Sequence, residues 1–240
     1  MAQLNEAIRN IPIPIRMRGL PISDQGFPLP WFTAIDEKGV PVPQAADPVK
    51  RLRAYRLNLC WCCGIPLGVH KAFVIGPMCC VNRATSEPPN HRECAEYAVR
   101  ACPFLTRPRM KRNPTLEDKI APPAGLMIER NPGVAAIWIT RAYRPFRDHD
   151  GGVMFALGEP SEVFFYCEGR LATRAEVVES IDSGLPNLRK VAEREGKDAI
   201  TLLEKFHARA LQYLPEEDPS ISKRRRGDRK QTSPPTGETK

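Results

Sequence analysis

The chain has 240 residues, of which 42% are hydrophobic and 27% are charged, a balance typical of a globular protein with its own core. The longest apolar run, GVAAIWIT at 133–140, is much shorter than the roughly 20 residues that cross a bilayer, and residues 1–20 lack the apolar segment of a signal peptide. These features argue against a membrane span and predict a cytoplasmic protein without a membrane partner.

The charge balance is basic. The formal net charge is +8 and the pI is about 9.2. Positive charge favours an anionic partner, most commonly DNA or RNA, although it also serves simply to keep a protein soluble. Proline accounts for 25 residues, about twice the average usage, which predicts many loops and turns.

The N-terminal third is predicted to begin with an arm. Residues 1–30 contain IPIPIR and FPLP, which favour extended or polyproline backbone. The stretch WFTAIDEKGVPV at 31–42 predicts two short strands around a turn. A short helix should follow, because Asp47 is a good N-cap and Pro48 suits the first helical position.

A cysteine-rich segment comes next, with seven of the eight cysteines between residues 60 and 102. Cys60 and Cys63 have the spacing that lets two thiolates from one tight turn reach the same metal ion. His91 and Cys94 are three residues apart at the start of a predicted helix, so their side chains lie on one face. These four residues predict a tetrahedral structural Zn²⁺ site.

The segment between the two ligand pairs, GVHKAFVIGPMCCVNR at 68–83, predicts two short strands that turn at Gly76 and Pro77. Cys79 in this segment is an alternative fourth ligand to His91. The order of knuckle, hairpin and helix over about 58–102 resembles the treble-clef family of zinc fingers.

The same residues also resemble the HNH nucleases, whose metal site is built on a treble clef. His70, Asn82 and His91 follow one another at spacings of 12 and 9. The resemblance implies that His70 is a general base on water, that Asn82 orients it and that His91 binds a catalytic divalent ion. Two departures weaken it: Val69 stands where the family has a metal ligand, and His91 cannot hold two ions.

A broader resemblance covers most of residues 25–214. The segments AFVIGPMCCVNR, EPPNHRECAEYAVRACPFL and EGRLATRAEV are similar to proteins encoded in bacterial and phage genomes. This similarity implies a biological context and no particular reaction.

Beyond the cysteines, a proline-rich connector at 103–124 predicts a boundary between a zinc module at 31–115 and a second domain at 116–214. Four β-rich segments predict a small antiparallel meander in this domain, and three C-terminal helices follow. The first opens on a capping box, Thr173 to Glu176, and ends at Gly184; the second begins at Pro186. Residues 215–240 are predicted to be a disordered basic tail.

A run of cations without an acid leaves the predicted zinc helix, at Arg100, Arg107, Arg109, Lys111 and Arg112. Such a run gives phosphate contacts with little sequence preference, or it is only a solvated loop. The sequence thus predicts an α+β protein with a treble-clef zinc module, a small antiparallel sheet and C-terminal helices. Its predicted role is a non-enzymatic nucleic-acid-associated or adaptor protein; the alternatives are an HNH-type endonuclease and a protein–protein adaptor.

Overall fold

The computed structural model of the protein describes residues 3–107, 132–148 and 151–217. Within these ranges the chain forms six α-helices and three antiparallel sheets, which confirms the α+β class. The helices are α1 (Pro48–Arg56), α2 (Pro77–Asn82), α3 (Arg92–Ala101), α4 (Pro103–Thr106), α5 (Arg174–Glu195) and α6 (Lys197–Ala210). The strands are β1 (Thr33–Ile35), β2 (Pro41–Ala46), β3 (Lys71–Ile75), β4 (Ala84–Thr85), β5 (Ala135–Thr140), β6 (Tyr143–Arg147), β7 (Val153–Leu157), β8 (Pro160–Cys167) and β9 (Arg170–Leu171).

The largest sheet has four strands in the order β3-β5-β8-β9, and its strand β5 is buried on both faces. Ala136 and Trp138 on β5 pack into the core formed with α2, α5 and α6. Ile137 and Ile139 point to the opposite side, where they pack against Ala95 and Val99 of α3. The continuous apolar sequence of β5 therefore reflects helices on both faces of the sheet.

The other two sheets are smaller. One has the order β4-β7-β6, and β1 pairs with β2 in a separate hairpin that leads into α1. The predicted meander is only partly correct. The hairpin of β6 and β7 leaves the main sheet, so that β5 pairs directly with β8.

The predicted domain boundary near residue 115 lies outside the described residues, as does the β-rich segment at 125–130. The strands on either side of this boundary nevertheless belong to one sheet. Strand β3 pairs with β5 over five residues, from Lys71 opposite Thr140 to Ile75 opposite Ala136. The cysteine-rich segment and the C-terminal half therefore share a core.

The predicted hairpin at 68–83 is wrong, because Pro77–Asn82 forms α2 in place of a return strand. Gly76 takes the N-cap position and Pro77 the first helical position, where its fixed φ suits a helix and its missing N–H costs nothing. Met78 and Val81 are buried against the long C-terminal helices. A Gly-Pro pair that typically marks a turn here begins a helix.

The C-terminal helices also differ from their prediction. The capping box at Thr173 and Glu176 is confirmed, but α5 continues through Gly184 and Pro186 as one helix. Gly184 is buried, and a Cβ atom there would lie 2.6 Å from the Cγ of Met78. This glycine therefore permits close packing of α2 on α5 and does not end the helix.

The N-terminal segment is not the predicted extended arm. It forms 3₁₀ turns at Glu6–Ile8 and Ile15–Met17. Ile8 and Met17 are only 2% and 3% exposed and pack in one cluster with Cys60, Cys94 and Tyr97. Arg16 is bonded to Glu93 of α3. The prolines thus shape a cover over the cysteines.

In the part of the chain that the structure describes, no helix combines the length and the apolar character that a membrane crossing requires. The predicted basic tail falls almost wholly outside this part, which ends at residue 217.

The shared sheet predicts that the two halves unfold together. Phe73 on β3 is fully buried, so Phe73→Ala should lower the free energy of unfolding by about 3–5 kcal/mol. Hydrogen exchange in β5 and β8 should accelerate as much as in β3. Val69→Ala, at an exposed position, is the matched control and should change little. Protection of β8 that survives in Phe73→Ala would show separate cores.

Candidate metal centre

The first two candidate ligands lie on a tight turn. The Gly64 N–H donates to the carbonyl of Cys60 at 2.8 Å, and the Cys60 N–H donates to the carbonyl of Ile65 at 2.8 Å. Leu59 and Pro66 pair as an isolated antiparallel bridge that closes the turn. This arrangement points the Cys60 and Cys63 side chains to one side.

Gly64 is required at this turn for two reasons. Its φ is +74°, a left-handed conformation that other residues adopt at a cost. A Cβ atom at this position would also lie 2.7 Å from the ring of Trp31. The backbone conformation of the turn and the contact with Trp31 therefore both require the glycine that follows the two cysteines.

The second pair lies at the start of α3. His91 is the N-cap residue and Cys94 is in the first turn, so both face the knuckle. Asn90, directly before them, exchanges two backbone hydrogen bonds with Ala72 of β3, at 2.9 and 2.7 Å. The edge of the main sheet thereby fixes the position of α3 relative to the knuckle.

The structure brings the four predicted ligands together. One ligand atom each from Cys60, Cys63, His91 and Cys94 lies within 4.8 Å of all the others. The Nδ1 atom of His91 is 3.4 Å from the Sγ of Cys63 and 4.0 Å from the Sγ of Cys94. Ligands around tetrahedral zinc are about 3.5–3.8 Å apart, so these two distances are close to those that a Zn²⁺ ion requires.

The imidazole of His91 is set in one tautomer. Its Nε2 atom lies 3.1 Å from the carbonyl oxygen of Pro66. A carbonyl can only accept, so Nε2 carries the proton and Nδ1 presents a lone pair to the three sulfurs. A metal-binding histidine is commonly oriented in this way by a carbonyl behind it.

Backbone N–H groups support the sulfurs. The His91 N–H donates to the Sγ of Cys60 at 3.4 Å, and the Ile65 N–H lowers the pKa of Cys63 as a hydrogen-bond donor. These donors stabilise thiolate charge. The amide side chain of Asn90 accepts the Cys62 N–H at 2.9 Å and donates to the Ala72 carbonyl at 3.4 Å.

Without a cation the three thiols compete for charge. Hydrogen bonds from the Cys60 and Cys94 thiols lower the pKa of Cys63 to about 2. Donation to Cys63 raises the pKa of Cys60 to about 11, and donation to its two neighbours raises the pKa of Cys94 further still. The site thus holds one thiolate easily, and a bound divalent cation would stabilise the other two.

The remaining cysteines behave as packing residues. Burial raises the pKa of Cys62, Cys79, Cys80 and Cys102, which keeps these thiols neutral. Cys79, the alternative fourth ligand, lies on α2 and packs against the main core. The structure therefore places His91, and not Cys79, in the group of four.

The residues of the predicted HNH layout are not gathered in this group. His70 is exposed just before β3, and the Asn82 side chain accepts the Ala84 N–H at 3.1 Å. Among the described residues, the group around Cys60 is the one cluster of three or more side chains suited to a metal ion. Of the three residues of the HNH layout, His91 alone belongs to this group.

The predicted phosphate-binding run is only partly described. Arg100 is exposed in the last turn of α3, and Arg107 is exposed just before the first gap. Arg109, Lys111 and Arg112 lie outside the described residues.

Sequence reasoning did not identify Asn90 or Pro66, the two residues that orient the site from behind. Asn90 directly precedes His91, and Pro66 follows the knuckle by three residues, so both were close to recognised ligands. The chain matches no protein-family model, no curated protein and no solved structure.

Asn90→Ala tests the role of the amide. The change removes three side-chain hydrogen bonds, including one from the Cys60 thiol, in a residue that is 3% exposed, so the free energy of unfolding should fall by about 1–3 kcal/mol. Affinity for a metal ion should fall by about 10–100-fold. Titration with Co²⁺, followed by thiolate absorption, measures this affinity. Asn10→Ala, at an exposed asparagine, is the control; equal affinities in the two variants would contradict the assigned role.

Proposed function

We propose that Cys60, Cys63, His91 and Cys94 hold one structural Zn²⁺ ion. The observation that carries the proposal is the closed set of three sulfurs and one imidazole nitrogen within 4.8 Å. Soft thiolate ligands with one imidazole favour zinc over magnesium or calcium. Four protein ligands leave no position for a water or a substrate, which supports a structural role and not a catalytic one.

The module around the proposed zinc would be treble-clef-like in that a knuckle, strand β3 and the ligand-bearing helix α3 come in this order, with α2 and β4 between the last two. It departs from that family because α2 replaces the second strand of the hairpin. Zinc in this position would join the knuckle to α3 and stabilise the apolar cluster that includes Ile8 and Met17.

We further propose that the protein is a non-enzymatic, nucleic-acid-associated protein or adaptor. The net charge of +8 supports an anionic partner. Zinc would fix the first turn of α3, and the last turn of the same helix carries the exposed Arg100. Arg100 and Arg107, the two exposed cations of the run within the described residues, would then contact a phosphate backbone.

The zinc proposal predicts about one Zn²⁺ per chain in protein purified without chelator, measured by elemental analysis. Cys60→Ser and Cys94→Ser should each lose most of the zinc and expose the cluster that contains Ile8 and Met17. Cys79→Ser is the matched control and should retain it, since Cys79 lies outside the group. Metal-free parent protein, or equal zinc in all variants, would refute the site.

The nucleic-acid proposal predicts that log K falls linearly with log salt, since each phosphate contact releases counterions. Replacing Arg107, Arg109, Lys111 and Arg112 by alanine should reduce the slope by roughly 0.9 for each cation that binds a phosphate, while zinc content is unchanged. Fluorescence anisotropy with a labelled duplex measures the slope. His70→Ala should leave binding unchanged, and neither protein should cleave a plasmid with Mg²⁺ or Mn²⁺. Metal-dependent cleavage that His70→Ala abolishes would instead identify a nuclease.

A further inference from the structure

Helix α1 carries a cluster of positively charged residues that lies outside the candidate metal centre. Its nine residues include Lys50, Arg51, Arg53 and Arg56 and no aspartate or glutamate. The neighbouring carboxylate of Asp47 caps the helix, accepting the N–H groups of Val49 and Lys50. The helix itself therefore carries four cations.

Carboxylates do not neutralise these cations in the described part of the chain. Lys50 donates to the carbonyl of Thr33 at 2.7 Å, and Arg51 donates to the carbonyl of Val153 at 2.7 Å. Arg53 lies 6.0 Å from the centre of the Trp31 ring. By contrast, the arginines at 83, 92, 170 and 209 each bond to a glutamate. Lys50, Arg51 and Arg53 are therefore held in place by neutral groups.

One face of α1 packs on the molecule and the other faces solvent. Ala54 is buried, and the ring of Tyr55 lies 5.8 Å from that of Phe155 on β7. The solvent side carries one exposed stripe, formed by Val49, Leu52, Arg53 and Arg56. The spacings of three, one and three residues place these side chains on the same face of the helix. Val49 is 65% exposed and Leu52 is 43% exposed, which is unusual for two large apolar residues on one short helix.

The hairpin beneath α1 extends the positive surface. Arg147 on β6 pairs with Val153, whose carbonyl accepts the Arg51 side chain, so these two arginines lie near one another. Arg147 is exposed and donates to the carbonyl of Gly151. Asp148 follows in the turn, where its side chain accepts the Gly152 N–H.

We propose that α1 is a DNA-contacting helix, with the stripe Val49, Leu52, Arg53 and Arg56 placed in the major groove of a duplex; this rests on the proposed nucleic-acid association. The major groove is about 12 Å wide and admits one α-helix. Phosphates complement Lys50 and the arginines, and apolar side chains contact the methyl groups of thymine. A second copy of the chain fits poorly, since it would bring two sets of four cations together.

The test compares two double variants that remove the same charge from exposed helices. Arg53→Gln with Arg56→Gln changes α1; Arg189→Gln with Arg194→Gln is the matched control on α5, which also carries acidic residues. Binding of a labelled 20-base-pair duplex is followed by anisotropy over a KCl series. The α1 variant should bind at least about tenfold more weakly, with a salt slope lower by about 1.8, and the control should stay close to the parent. Circular dichroism and zinc content confirm that both variants fold.

Leu52→Ala tests the apolar contact in the groove separately from the phosphate contacts of the cations. It should weaken duplex binding severalfold with the salt slope unchanged, because every cation that binds a phosphate is still present. Full affinity in this variant would overturn the placement in the groove.

The outcomes distinguish this inference from the broader proposal. A parent that binds neither duplex DNA nor single-stranded RNA overturns both. If the α1 variant and the parent bind the duplex with equal affinity, only the role of α1 is overturned. The assignment to DNA is overturned if the parent prefers RNA. It is also overturned if poly-L-glutamate at equal charge displaces the duplex, a result that points to an acidic protein segment as the partner.

Discussion

The rest of the cysteine-rich segment depends on one electrostatic constraint: three sulfurs and an imidazole nitrogen share a space in which every ligand atom lies within 4.8 Å of the others. The hydrogen bonds among Cys60, Cys63 and Cys94 favour a single thiolate, and the N–H groups of Ile65 and His91 reinforce the negative charge at the sulfurs. A cation at the centre would resolve this competition. It would also join two chain segments, since 27 residues separate Cys63 from His91 in the sequence.

The metal centre and the main sheet are connected through one residue on β3. Ala72 exchanges backbone hydrogen bonds with Asn90 on one side and pairs with Ile139 of β5 on the other. Asn90 in turn directly precedes His91, and its amide binds the knuckle at Cys62. The geometry of the ligands is therefore set by the same strand that organises the hydrophobic core, which gives the site a rigid support.

Local chemistry made much of this structure predictable. The ligand set, the Asp47 cap on α1 and the capping box at Thr173 each depend on residues a few positions apart, and the structure brings these groups together. The errors occurred where distant packing overrides a local signal. Gly76 and Pro77 begin α2 because the apolar side chains of this helix pack against α5 and α6. Pro186 lies within α5 and does not begin a new helix. The N-terminal prolines gave no sign that Ile8 and Met17 would cover the cysteines, since such contacts are set by tertiary structure.

This N-terminal cover has a consequence for exchange kinetics. Cys60 and Cys94 have no exposed surface, and the turns that carry Ile8 and Met17 pack on the same cluster. A chelator or an oxidant must therefore wait for this segment to open before it reaches the sulfur of Cys60 or Cys94. When reclosing is fast, the observed rate depends on the population of the open form, and at high reagent concentration it reaches the opening rate itself. The N-terminal residues would thus set the lifetime of a bound ion, while the four ligands set its affinity.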